Sequence, residues 1–232
     1  MANTGQECRN FMKVALFIPI KLNNQRLPGK NIMDLAGRPV CDYLFQTVSR
    51  LKEIDERYVY CSNEEIIPYI PDGIEFLKRD EKLDGYEVKG LDIIEAFVND
   101  IDADIYIITH VTQPFTKGKS IIEALDKVKS GAYDSAFSAV ELQDYMWYHG
   151  KPFNYDMKDI VRTQDLEPIY METGAFFIFT KKVFTELHQR IGDNPYICAI
   201  DQFEAIDIDT KEDFALAEAA AEYIKRKGNQ HD

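Results

Sequence analysis

Apolar and polar positions fall into two alternating kinds of segment along this chain. Short runs rich in β-branched and aromatic residues recur at Val14 to Ile20, Arg57 to Cys61, Ile74 to Leu77, Asp104 to Thr109, Tyr133 to Val140, Gly174 to Thr180 and Tyr196 to Ile200. Each predicts a buried strand. Longer segments with helical spacing lie between them. In Pro39 to Leu51 that spacing puts Val40, Tyr43, Leu44, Thr47, Val48 and Leu51 on one side. Leu91 to Val98, Lys119 to Lys129, Lys181 to Arg190 and Thr210 to Lys227 also read as helices. Ser62-Asn63-Glu64-Glu65 opens a short one, with Ser62 or Asn63 as N-cap, and Pro68, Pro71 and Gly73 end it. Thr210 and Asp213 predict a capping box, with Asp in place of the usual Glu.

Alternating strands and helices predict a three-layer α/β/α sandwich with a mainly parallel sheet. Asp104 to Thr109 is expected in its middle. Residues 1–12 read as a loose N-terminal leader and 13–232 as one domain. The alternation fails over an excursion at about 141–172. Its first half carries Tyr145, Trp147, Tyr148, Phe153 and Tyr155. That half reads as a hairpin-like, aromatic-rich arm that could pack on a second subunit.

Composition narrows the function classes. At 232 residues, 45% hydrophobic and 29% charged, the chain is in the ordinary globular range. Its net charge of −13 argues against a nucleic-acid polymer as partner, but not against a single nucleotide in a small basic pocket. No apolar run reaches membrane-spanning length, so no membrane contact is expected. Cys8, Cys41, Cys61 and Cys198 are scattered without a C-x-x-C pair, which supports neither a zinc site nor a redox motif. The polar start, lacking a secretory pattern, points to a cytoplasmic protein.

Candidate chemistry begins after the first strand. Lys21, Arg26 and Lys30 fall within ten positions, interleaved with Asn23, Asn24 and Gln25. Pro28 and Gly29 keep this stretch from forming a regular helix. A loop of free N–H groups and fixed cations at a strand's C-terminal end suits a triphosphate, although it could also be a solvated basic turn. Near the other terminus, Ile206-Asp207-Ile208-Asp209-Thr210 places two carboxylates on one side of an extended backbone. Such a pair can hold a hard divalent cation together with phosphate oxygens, or it can be a strand end and a helix cap.

These two stretches resemble those of the cytidylyltransferases that activate acidic keto sugars: the CMP-sialic acid synthetases (acylneuraminate cytidylyltransferases) and the related CMP-KDO synthetases. Ile18-Pro19-Ile20-Lys21 stands where that family has Ile-Pro-Ala-Arg. Arg26-Leu27-Pro28-Gly29-Lys30 is similar to the KDO branch, and Asn31 to the sialic acid branch. Leu35-Ala36-Gly37-Arg38-Pro39 matches the turn into the first helix. The middle motifs are blurred. Arg162-Thr163-Gln164-Asp165 and Glu172-Thr173-Gly174-Ala175-Phe176 resemble the sugar-binding segment, with Thr173 in place of Asn. His110-Val111-Thr112-Gln113-Pro114 stands where the family has Gln-Pro-Thr-Ser-Pro, and Arg79 is similar to an arginine facing the nucleotide.

The resemblance implies a nucleotide-diphospho-sugar transferase type of Rossmann-like sheet, homodimers, and a reaction of CTP with an acidic keto sugar to give CMP-sugar and pyrophosphate. It implies Mg²⁺ on Asp207 and Asp209. Lys21, Asn24, Arg26, Lys30, Asn31, Arg79 and His110 would bind nucleotide, and Arg162, Gln164, Thr173 and Phe176 the sugar. Lys21, Lys30 and Asp209 would be catalytic. Two other readings stay open: a D-x-D nucleotide-sugar glycosyltransferase, and a nucleotide-binding homologue that has lost catalysis, which the departures at Lys21, His110 and Thr173 motivate.

Overall fold

In the computed structural model, which describes residues 12–228, strand β1 (Val14–Ile20) is buried along almost all of its length. Its residues alternate between two cores. Val14, Leu16, Ile18 and Ile20 face α1 (Val40–Val48) and α3 (Gly118–Lys129). Ala15 and Phe17 face α2 (Gly90–Asp100) and α4 (Lys181–Leu187). Phe97 of α2 stacks on Phe17 with ring centroids 4.0 Å apart. A strand with both faces covered by helices must be apolar at every position, which is why the Val14-to-Ile20 run shows no polar alternation. Of the expected leader, only Met12 is among the described residues.

The other strands are the short pair β2 (Asp34–Leu35) and β3 (Arg38–Pro39), then β4 (Glu56–Cys61), β5 (Glu75–Lys78), β6 (Ile105–Thr109) and β7 (Ser135–Leu142), then β8 (Trp147–Tyr148), β9 (Lys151–Pro152), β10 (Ile169–Thr180) and β11 (Pro195–Ala199). Seven of them form the central sheet in the order β11-β7-β10-β6-β1-β4-β5. Within it β10 alone runs antiparallel, to both β6 and β7, and every other pairing is parallel. The expected mainly parallel sandwich is therefore what the chain forms. From β1 the chain moves outward to β4 and β5, then returns to place β6 on the other side of β1. This reversal opens a crevice between the loops after β1 and β6, the position where open α/β sheets bind ligands.

Three elements differ from the pattern-based expectation. Strand β10 starts at Ile169 because Ile169 to Glu172 pair with Leu142 to Ala139, extending the sheet toward the arm. Its exposed Tyr170 and Met171 blurred the apolar signal there. Helix α4 stops at Leu187, where His188 takes a left-handed φ of 52°. The segment after Ser62 is a 3₁₀ helix, Glu64–Tyr69, capped by the Asn63 side chain, with Pro68 inside it. The arm is a hairpin as expected. Strands β8 and β9 are joined by His149 and Gly150, both at positive φ (49° and 73°), the twist-compatible geometry of a two-residue loop.

Helix α5 (Lys211–Gly228) closes the fold. Its start carries the expected reciprocal cap: Asp213 N–H donates to Thr210 Oγ1 (3.2 Å), and Thr210 N–H donates to Asp213 Oδ2 (2.8 Å). Leu27, Leu35, Val40, Ile208, Ala217 and Ala221 form a small third core that joins α5 to the loop after β1. The cysteines Cys41, Cys61 and Cys198 are buried free thiols. Burial pushes Cys41 and Cys198 up to about 12, leaving them unreactive near neutral pH.

Candidate active site

The loop after β1 turns back on itself at Gly29, whose left-handed φ of 69° starts the 3₁₀ turn Lys30–Ile32. That turn aims Lys30 inward. Although Lys30 is only 8% exposed, its ammonium has two partners. It donates to Ile208 O at 2.6 Å and to Asp209 Oδ1 at 2.7 Å. Arg26, at the open rim, reaches the other oxygen of the same carboxylate, Asp209 Oδ2, at 2.8 Å. Two cations from the N-terminal loop thus clasp one aspartate from the far end of the chain. The Lys30–Asp209 and Arg26–Asp209 contacts bring together, at ion-pair distance, the two stretches singled out in the sequence.

Asp207 lies two residues before this clasp, and Ile208 between them is pinned by its N–H to Thr112 O at 2.8 Å. Crowding by the surrounding protein raises the Asp207 pKa, and the neighbouring Asp209 charge adds to that rise; the Thr112 hydroxyl and Lys30 act the other way. The two aspartates are therefore close enough to repel. Among the described residues no cluster of three His, Cys, Asp or Glu side chains could hold a metal ion. A magnesium ion does not need one, because water and phosphate oxygens normally complete its octahedron. Two mutually repelling carboxylates fit that requirement.

His110 follows the last residue of β6. Its Nδ1 donates to Gly174 O at 2.7 Å, which leaves Nε2 as the acceptor nitrogen. Burial is the main cause of its depressed pKa, so the ring is neutral near pH 7. Opposite it, β10 bulges between Glu172 and Phe177. Ser138 fills the bulge: it accepts Phe176 N–H at 3.1 Å and shares a 2.7 Å hydrogen bond with the Thr173 hydroxyl. Gln113, 2% exposed, lies against Gly174 with its Oε1 unpartnered.

Arg79 is buried at 2% exposure. Its guanidinium bonds Ile20 O (3.0 Å), Tyr60 O (3.4 Å) and Asp84 Oδ1 (2.5 Å), tying the ends of β1 and β4 to the segment after β5. Arg79 thus shapes the crevice wall. Lys21 bonds Asp84 O and lies 4.9 Å from the centre of the exposed Tyr86 ring. Lys21, Asn24, Arg26, Lys30 and Tyr86 line one recess of about 180 Å³. Asn31 is buried beside it, its amide donating to Lys21 O at 2.9 Å. The acceptor oxygens of Asn24 and Asn31 have no partner within the described residues.

The residues expected to bind sugar divide. Thr173 sits in the bulge beside Gly174, whose carbonyl holds His110. Arg162 instead forms a two-pronged ion pair with Asp165 (2.8 and 3.0 Å) on the arm surface, and Gln164 beside it is exposed. The role expected for Phe176 needs correction. Its ring is fully buried in the core on the α1 and α3 side, so it cannot touch a substrate. Asp84, Tyr86, Gln113 and Ser138 were not anticipated. Asp84 and Tyr86 lie in an irregular polar stretch with no periodic signal, and the role of Ser138 depends on a bulge that sequence does not announce.

A family model described as cytidylyltransferase matches residues 15–226. The chain belongs to the cytidylyltransferase family. It is 25% identical over 214 residues to the N-acylneuraminate cytidylyltransferase of Streptococcus agalactiae serotype III (strain NEM316), covering 88% of this chain and 52% of that protein. It therefore spans about half the length of that relative. With the pseudaminic acid cytidylyltransferase of Campylobacter jejuni subsp. jejuni serotype O:2 the match covers most of both proteins: 24% identity over 228 residues, 89% of this chain and 95% of that protein. Among solved structures, a CMP:2-keto-3-deoxy-manno-octonic acid synthetase complexed with CTP shares the fold. Its TM-score is 0.67 at 16% identity, over 92% of this chain and 99% of that one.

Proposed function

We propose that this cytidylyltransferase couples CTP to an acidic keto sugar, releasing pyrophosphate and giving the CMP-sugar. The observation that carries the reading is the clasp of Arg26 and Lys30 on Asp209, because it unites the basic loop after β1 with the acidic pair near the other terminus. The relatives named for acylneuraminate and pseudaminic acid support an acidic sugar as acceptor.

On this reading the triphosphate enters beside Lys21, Arg26 and Lys30, and its oxygens compete with Asp209 for the two clasping cations. Lys30 is the buried member, so its charge acts on the phosphates with little screening by water. The anomeric hydroxyl bonds to the α-phosphorus as the bond to the pyrophosphate oxygen breaks, a reaction that needs alignment and charge neutralisation more than a covalent nucleophile. Asp207 and Asp209 would hold Mg²⁺, which supplies Lewis-acid stabilisation of the growing negative charge. The sugar would lie toward His110, Thr173 and the bulge in β10. The arm exposes Trp147, Tyr148, Phe153, Met157 and Ile160, an apolar surface suited to a homodimer contact.

A matrix of four nucleoside triphosphates against a panel of keto acid sugars, read by pyrophosphate release, tests this. Turnover with CTP and one acidic sugar is expected. CTP binding without pyrophosphate from any pair would overturn it.

A further inference from the structure

A groove of about 1050 Å³ opens on the side of the molecule bounded by α1, the loop between β6 and α3, and the last turns of α5. It shares no lining residue with the recess around Lys21 and Lys30. Its walls are aromatic. Tyr43 and Phe115 meet edge to face at 5.7 Å, and Phe203 and Tyr223 stack at 5.5 Å with an interplanar angle of 2°. The exposed Ile224 extends the second wall. The volume lies at the upper limit of sites that take small organic ligands, roughly 300–1,000 Å³.

The charge in the groove runs against that of the chain. Arg38, Lys117, Lys225 and Lys227 line it, and no carboxylate among the described residues does, although the chain as a whole carries −13. Two of these cations are partly neutralised from outside the lining: Arg38 by Asp42 at 3.5 Å, and Lys117 by Asp201 and Glu204. Lys225 and Lys227 pair with no carboxylate among the described residues, and Lys227 sits 5.1 Å from the Tyr223 ring. Flat apolar walls with ammonium groups at one end favour a ligand with an aromatic body and an acidic group. The back of the groove also reaches the clasp, since Tyr43, Phe115 and Ala221 pack in the same small core as Leu27 and Ile208.

We propose that this groove is a second ligand site, separate from the nucleotide crevice, for a small organic anion with an aromatic body. The test uses 8-anilinonaphthalene-1-sulfonate, an aromatic sulfonate, titrated by fluorescence into the full chain with and without excess CTP. Two variants alter the groove through exposed side chains: the double charge reversal Lys225→Glu with Lys227→Glu, and Ile224→Asp. A third, Phe153→Asp, alters the arm. The groove variants should weaken the probe by at least about fivefold, a modest expectation for exposed charges. Phe153→Asp and CTP should leave its affinity unchanged, and melting curves should show that all variants fold. Unchanged affinity in both groove variants overturns the proposal. So does loss of probe binding in Phe153→Asp, which would place the probe on the arm, or displacement by CTP, which would place it in the crevice.

Discussion

Replacing Lys30 with methionine removes the charge at the centre of the clasp while keeping the stem's bulk. Lys30 donates two short hydrogen bonds, one to the Ile208 carbonyl and one to the Asp209 carboxylate. Losing them orphans a buried carbonyl, at a cost of about 1–3 kcal/mol. Asp209 itself fares better, because Arg26 still holds its second oxygen and its side chain is 28% exposed. For a domain of this size the result is a fall in Tm of about 3–10 °C, with the chain still folded at 25 °C. The loss of activity should be larger. A preorganised, buried donor acting on transition-state charge is worth about 10²- to 10³-fold in rate, so kcat/KM for CTP in pyrophosphate release should fall by that factor. Lys30→Arg, which keeps the charge, should recover part of it. A folded Lys30→Met enzyme with kcat/KM within about threefold of wild type would refute the reasoning, because a donor acting on transition-state charge is typically worth about 10²-fold or more.

Asp209→Ala should abolish Mg²⁺-dependent turnover and leave a folded protein by circular dichroism; full activity would remove the metal assignment. Tyr86→Ala should raise the KM for CTP about tenfold if the exposed ring beside Lys21 stacks on the base, whereas Tyr86→Phe should behave as wild type in the same steady-state assay. Arg162→Ala should change stability by less than about 0.5 kcal/mol in urea melts, because its partner Asp165 is an exposed surface acid. If Arg162 contacts the sugar acid, the KM for the sugar will rise while that for CTP stays constant. His110 has a folded-state pKa below its ordinary 6.5, so the unfolded chain binds its proton more readily and stability is lost as pH falls below that value. Tm measured from pH 7.5 to 5 should therefore fall more steeply for wild type than for His110→Gln.

The layers of the fold were legible because burial on both faces leaves an unmistakable mark: all of Ile105–Thr109 is buried, and all of it is apolar or capped by a bonded threonine hydroxyl. The capping of α5 was legible because a cap is a local interaction, complete within Thr210 to Asp213. The antiparallel sense of β10 was not, because strand direction depends on how the arm returns and not on any pattern within Gly174 to Thr180. The same distinction separates the site residues. Lys30 and Asp209 stand out in sequence because each lies in a local motif, whereas Asp84 holds Lys21 from 63 positions away and Ser138 holds Thr173 from 35, and neither leaves a mark beside itself. Phe176 was misassigned for its nearness to Gly174, because the bulge in β10 breaks the strand's alternation there and Ala175 and Phe176 both fall in the core on the α1 and α3 side.

On the proposed reading, the clasp would also account for how so acidic a chain can receive a triphosphate. An anion approaching a molecule of net charge −13 is repelled at long range, but that field is screened within about 10 Å at ordinary ionic strength. Inside that distance the ligand meets Lys21, Arg26 and Lys30 on a single loop. Of these, Arg26 and Lys30 already have a carboxylate partner that a phosphate can replace charge for charge. Exchanging Asp209 for a phosphate avoids desolvating a bare ammonium, so the buried Lys30 is never left uncompensated. On the proposed reading the exchange would also free the Asp209 oxygens as the phosphates arrive. Cation binding at the acidic pair would then be coupled to nucleotide binding, and by linkage each would strengthen the other by the same factor.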